Sequence, residues 1–230
     1  MTTPMWKRPV VATLAVAAIA LLALTSGCSE DGPLGPGSGD TYVKASTPIN
    51  SARRLCATYS AKDIVFYTGH LTADFRYTFS AAADPDLVSL YGDTWGLDDE
   101  AASALHLFLG FVDDSLNAQL PAKTIAADFV SASVLDDADH PDSTSHYRRV
   151  RISPLGVEIT LTDDSVIDIA NVFDVYVVRG DAAVRTPAQA RDSTVWYVRR
   201  IADLAEPLAS RALKPAQAAT WGQVRAFYRS

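Results

Sequence analysis

Hydrophobic and polar positions divide the chain into four stretches. Apolar residues run almost unbroken from Val10 to Leu24, with Lys7 and Arg8 ahead and Thr25-Ser26-Gly27-Cys28 behind. A positive head, about 15 apolar residues and a small-residue exit form the pattern of a secretory signal, whereas a membrane span needs about 20 residues. An uncleaved membrane anchor is the competing reading. Ser29 to Ala45 is rich in Gly, Pro, Ser and Asp and has no apolar period, which makes it a tether. Folded structure is expected from Ser46. Thr47 is placed to cap a helix that opens with Pro48, and Ile49, Ala52, Cys56 and Tyr59 recur at helical spacing. Asp63 is placed to cap a second, short helix over Ile64 to His70. Asp74 to Ser80 alternates, with Phe75, Tyr77 and Phe79 on one face of a half-buried strand. A loop of Ala, Asp and Pro follows. Thr94-Trp95-Gly96 and Asp98-Asp99-Glu100 then suit a helix start, acids being favoured there, and Ala101, Leu105, Phe108 and Val112 carry the helical period.

The last stretch is rich in strands. Thr124 to Leu135 reads as one run, and Tyr147 to Ile152 with Val157 to Thr162 as one interrupted strand or two. Ser165 to Arg179 and Ser193 to Leu204 follow, separated by a polar, Ala-rich loop. Leu204 to Ala219 is irregular, and Thr220-Trp221-Gly222 opens a short helix to Tyr228. Helices first and strands after give an α+β class. The expected layout is a curved antiparallel sheet of four to six strands, about three N-terminal helices packed on it, and a short C-terminal helix.

Two resemblances sharpen this reading. Leu24-Thr25-Ser26-Gly27-Cys28 resembles the lipobox of bacterial lipoproteins, although Thr25 stands where Leu is commoner. The resemblance implies cleavage before Cys28, lipidation of Cys28 and attachment to a membrane. Ordinary signal cleavage with Cys28 as a bystander is the alternative. The chain then divides into a signal over 1–27, lipidated cysteine and tether over 28–45, and one domain over 46–230. Ser29 after the cysteine is permissive for outer-membrane sorting, by resemblance to known sorting signals, so the expected address is a bacterial cell envelope, facing the periplasm or the cell surface. Across Thr47 to Tyr228 the element order is similar to the NTF2-like (SnoaL-like) cone fold. Ala57-Thr58-Tyr59-Ser60-Ala61-Lys62-Asp63, Asp74-Phe75-Arg76-Tyr77 and Trp196-Tyr197-Val198-Arg199-Arg200-Ile201-Ala202-Asp203 carry that likeness. It implies a cone enclosing a pocket in a family of isomerases, dehydratases, hydrolases and binding proteins, so fold alone does not decide function.

Charge narrows the partners. Of 230 residues, 20 are Lys or Arg and 27 Asp or Glu. Signal removal takes Lys7 and Arg8 and no acid, leaving 18 bases against 27 acids, net −9. That balance opposes nucleic-acid binding. Two cysteines are too few for a disulfide scaffold, and Cys56 reads as a small core residue.

Candidate chemistry is sparse. The sequence holds no phosphate-binding Gly-rich loop, no Gly-x-Ser-x-Gly, no His-Glu-x-x-His and no CxxC, and no cofactor is expected. His106 is a candidate acid or base on the third helix. On the strand over Val166 to Val178, Asn171 shares a face with Phe173, while Asp168 and Asp174 lie on the other. These acids either face solvent, pair with Arg199 or Arg200, or floor a pocket. Asp136-Asp137-Ala138-Asp139-His140 has cation-binding oxygens but reads as a solvated loop beside Arg148, Arg149 and Arg151. Tyr67, Phe75, Tyr77, Phe79, Trp95, His106, Asn171, Phe173 and Trp196 are the candidate pocket residues. The leading expectation is a lipid-anchored binding domain for a small apolar ligand or a protein partner. The rivals are a cofactor-free lyase or isomerase and a homodimer formed through the sheet face.

Overall fold

The computed structural model describes residues 42–112, 118–180, 192–204, 217–218 and 220–229. The expected signal, Cys28, most of the tether and much of the two irregular stretches lie outside the described residues. Among the described residues no helix is long and apolar enough to cross a membrane.

Helix α1 (Pro48–Ser60) starts where its cap dictates: Thr47 Oγ1 accepts the Asn50 N–H at 3.1 Å, and Pro48 supplies a preset first turn. Lys62, in a left-handed conformation (φ 55°), ends it. Asp63 Oδ1 then caps α2 (Ile64–Gly69) through the Phe66 N–H at 3.2 Å. Strand β1 (Leu71–Thr78) buries Leu71, Phe75 and Tyr77. Where the sequence reads as a loop, a short helix α3 (Pro85–Tyr91) forms, with Pro85 in its first turn and no fully buried residue. After β2 (Thr94–Trp95) comes α4 (Leu97–Leu109), whose buried face is Glu100, Ser103, Ala104, Leu107 and Phe108. Of the expected stripe Phe108 lies on this face, Leu105 is exposed, and Val112 falls beyond the helix and is exposed. Gly110 stops α4 at φ 80°, where an added Cβ would lie 2.8 Å from Pro121 Cδ. A small hairpin, β3 (Phe111–Val112) with β4 (Ala118–Gln119), follows.

The main sheet uses β5 (Ala122–Phe129), β6 (Ala132–Asp136), β7 (Tyr147–Leu161), β8 (Val166–Arg179), β9 (Trp196–Asp203) and β10 (Gln217–Ala218) with β1 and β2. Its spatial order is β2-β1-β9-β8-β7-β5, and β6 and β10 pair with β7 and β8. The single run expected over Thr124 to Leu135 is two strands sharing one partner: β5 pairs with Leu155–Leu161 and β6 with Arg148–Ile152. Strand β7 is continuous through a bulge between Ile152 and Leu155, and such bulges bend a sheet. Pairing is antiparallel except that β1 lies parallel to β9 and β10 parallel to β8. Helix α1 packs on the inner face of β5, β7 and β9, and α4 on β1. Helix α5 (Trp221–Phe227) returns onto α4 and α3. The result is an α+β fold with a curved, open sheet over a few helices.

Candidate functional site

A hollow lies between the helices and the sheet. Helix α1 supplies Leu55, Cys56 and Tyr59 to its wall, and α2 supplies Tyr67. The sheet supplies Ala127 from β5, Ile152, Leu155 and Val157 from β7, Phe173 and Val175 from β8, and Ile201 from β9. Trp221 and Arg225 close it from α5. Including its open side the hollow measures about 420 Å³, and the space within reach of a water molecule's centre is about 30 Å³. That inner space holds about two waters. Ala127 and Leu155 are only partly buried and mark the open side, between α1 and the bend of β5 and β7.

One polar network sits at the inner end. Glu100 is fully buried and pairs with the buried guanidinium of Arg225. Tyr67 Oη donates to Glu100 Oε1, Trp95 Nε1 donates to Oε2 at 3.2 Å, and Arg225 Nη2 donates to Tyr67 Oη at 3.1 Å. An ionised carboxylate only accepts, and this donor set suits it. The guanidinium also lies 4.5 Å from the Trp221 ring centroid, 5.0 Å from Tyr77 and 5.7 Å from Tyr59. Burial pushes the Tyr59 and Tyr67 hydroxyls up to about 12, with Arg225 opposing, so both remain donors at neutral pH. The Tyr59 hydroxyl and Arg225 Nε have no hydrogen-bond partner among the described residues.

Helix α5 is held in place by its own cap and by Asp84. Thr220 Oγ1 accepts the Gln223 N–H at 3.0 Å and donates to Asp84 Oδ1 at 2.7 Å. Gly222 is close to Asp84: an added Cβ would lie 2.6 Å from Asp84 Oδ2. Burial raises the Asp84 carboxyl, and the Thr220 hydrogen bond opposes that shift.

The candidate residues named from sequence scatter. Tyr67 and Phe173 stand in the hollow wall. Tyr77, Phe79 and Trp95 form an aromatic cluster, with Phe79 and Trp95 centroids 5.0 Å apart, and Phe75 is buried in the same core. Asn171 is buried and donates to Asp203 Oδ1 at 3.4 Å, and Tyr77 Oη donates to Oδ2 at 3.2 Å. Burial, with the Asp203 charge, lifts the Tyr77 hydroxyl well above its ordinary value. Trp196 lies elsewhere in the core, under Arg179. His106, the acid–base candidate, is not brought to the hollow. It is half-buried outside the hollow wall, its ring stacks on Phe111 at 4.2 Å, and its Nδ1 meets the Tyr228 carbonyl at 2.9 Å.

The strand acids are also settled by geometry. Asp168 is exposed. Asp174 is buried beneath Arg151, which clamps it with two hydrogen bonds of 2.8 Å, and Arg149 at 3.2 Å. Arg199 and Arg200, expected as its partners, instead hold the loop after β6. Arg199 pairs with Asp137 at 3.1 Å, and Arg200 with Asp139 at 3.2 Å. That loop is less solvated than it reads, since Asp137 is fully buried. Among the described residues no group of His, Cys, Asp and Glu is arranged to hold a metal ion.

Sequence reasoning missed Glu100, Arg225 and Asp203 as interior polar groups. A signal for Glu100 existed: Glu100, Ala104, Leu107 and Phe108 share one helical stripe.

No family model matches the sequence, and no curated protein does. Several solved structures are similar. An NTF2-like superfamily protein from Salmonella enterica serovar Typhimurium is 6% identical with TM-score 0.43, over 70% of this chain and 89% of its own. A protein assigned as a scytalone dehydratase from Novosphingobium aromaticivorans is 8% identical with TM-score 0.47, over 72% and 92%. A pinacolase from Penicillium brevicompactum is 11% identical with TM-score 0.40, over 66% and 81%. The likeness is one of fold, a curved sheet over a few helices, and it carries no activity across.

Proposed function

We propose that the chain is a lipid-anchored domain of the cell envelope that holds a small apolar ligand in its cone, rather than an acid–base catalyst. The observation that carries this reading is the hollow: aliphatic and aromatic walls, an open side and one short polar end. Binding sites for small molecules have this composition. The buried carboxylates nearest the hollow are committed to other core groups. Glu100 is bonded to Arg225, Tyr67 and Trp95, and Asp203 to Tyr77 and Asn171. The address is supported by the apolar run from Val10 to Leu24 and by the small residues before Cys28.

Native mass spectrometry of the protein purified from its own host tests the ligand directly. The expected spectrum shows the chain with an added small-molecule mass that is lost on gentle activation. The bare chain alone, from protein that also takes up no small apolar probe, sinks the reading. For the anchor, radiolabelled palmitate should enter the wild-type protein and not Cys28→Ser, and equal labelling of the two refutes it.

A further inference from the structure

A buried arginine at the end of an apolar hollow is ordinarily a carboxylate receptor, because its planar fork matches two oxygens. Here its two terminal nitrogens are already engaged, Nη1 in the ion pair with Glu100 and Nη2 with Tyr67, which leaves only Nε. Glu100 neutralises Arg225, and Tyr67 bridges the two by donating to the acid and accepting from Nη2. Glu100 is fully buried and the Arg225 side chain only 3% exposed, so water screens neither charge. Glu100 is not part of the hollow wall and stands behind the arginine.

We infer that Glu100 masks Arg225, so that the hollow accepts an uncharged apolar molecule with one oxygen acceptor, a ketone or alcohol, and rejects apolar carboxylates. This rests on the ligand-binding reading above and adds the charge class of the ligand. A second carboxylate entering the hollow would lose its hydration and find no free cation. It would also stand near the like charge of Glu100. A neutral oxygen meets neither penalty. Arg225 Nε and the Tyr59 hydroxyl are donors without partners among the described residues, and both residues line the hollow. The inner space has room for about two water-sized groups, so the oxygen end of a ligand fits there while its chain runs toward the open side.

Equilibrium dialysis of the full chain at pH 8 against 2-octanone and against octanoate reads the selectivity. The wild type should bind the ketone at least about tenfold more tightly, since octanoate must be desolvated unpaired. In Glu100→Gln the unmasked Arg225 should reverse the order, with octanoate the tighter ligand. Tyr59→Phe should weaken the ketone about fivefold, the loss of one hydrogen bond. Equal or tighter binding of octanoate by the wild type overturns the inference and leaves the ligand-binding reading standing. So does an unreversed order in a Glu100→Gln protein whose circular dichroism matches the wild type. If Glu100→Gln does not fold, the wild-type ratio and Tyr59→Phe decide. Binding of neither probe refutes the ligand-binding reading, and the masking role falls with it.

Discussion

Arg225 and Glu100 each depend on the other for a tolerable burial. Removing the arginine charge alone leaves a carboxylate in the core with only Tyr67 and Trp95 to meet it. Arg225→Met should therefore lower unfolding free energy by about 3–5 kcal/mol. The double change Arg225→Met with Glu100→Leu removes both charges and should recover most of that loss, because apolar pairs of similar size replace buried ion pairs well. Urea unfolding of the wild type, the two single variants and the double variant measures it, and additive losses would refute mutual dependence. His70 gives a second prediction at this scale. Its Nε2 lies 2.9 Å from Ser51 Oγ inside the core, and burial holds the ring down to about 4 while the Ser51 carbonyl contact opposes the shift. The unfolded imidazole keeps its ordinary value near 6.5. Between those two values the unfolded chain binds a proton that the folded chain refuses. Stability thus falls as pH falls from about 6.5 to 4, by up to about 3 kcal/mol. His70→Gln should flatten that part of the urea-midpoint profile, and an unchanged slope would assign the loss to other groups.

Elements announce themselves in the sequence where their signals are local. Thr47-Pro48 and Asp63 mark the starts of α1 and α2, and the alternation of Phe75, Tyr77 and Phe79 marks β1. Helix α3 escapes because it buries none of its residues fully and so has no apolar stripe to read. The break between β5 and β6 escapes because its cause lies across the sheet, in the β7 bulge. Three acids open α4, and the macrodipole explains all three equally well. Only the packing of α5 shows that Glu100 differs from Asp98 and Asp99. Helix α5 itself yields an element-scale prediction. Alanine is favoured over glycine within a helix by about 1 kcal/mol. At position 222 its Cβ would meet Asp84 Oδ2 at 2.6 Å and Phe79 Cδ1 at 3.1 Å. The clash should reverse the sign, so Gly222→Ala should destabilise by about 1–2 kcal/mol in thermal or urea unfolding. A gain in stability would show that α5 shifts freely over α3.

At the scale of the molecule, the α+β class is legible from the order of helices and strands, while its closure is not. Strand β1 lies parallel to β9, with Leu71 opposite Val198 and Tyr77 opposite Ile201, a pairing no local pattern announces. The outer arginines behave similarly: their spacing shows a basic cluster, but only the register puts Arg151 opposite Asp174. Closure by α5 is the testable part. Deleting residues from Thr220 onward removes Trp221 from the hollow and the cation from Glu100. The shortened chain should lose its single sharp calorimetric transition and bind a hydrophobic dye such as ANS. A sharp transition without dye binding would show that the cone stands without its last helix.

Tyr67 and Arg225, which share the innermost network, are 158 positions apart. A polypeptide that emerges from a ribosome from its amino end presents Tyr67 and Glu100 long before their cation. Until α5 follows, the centre of the domain has an acid with no counter-charge and a cavity with no back wall. Completion is therefore timed to the arrival of the tail.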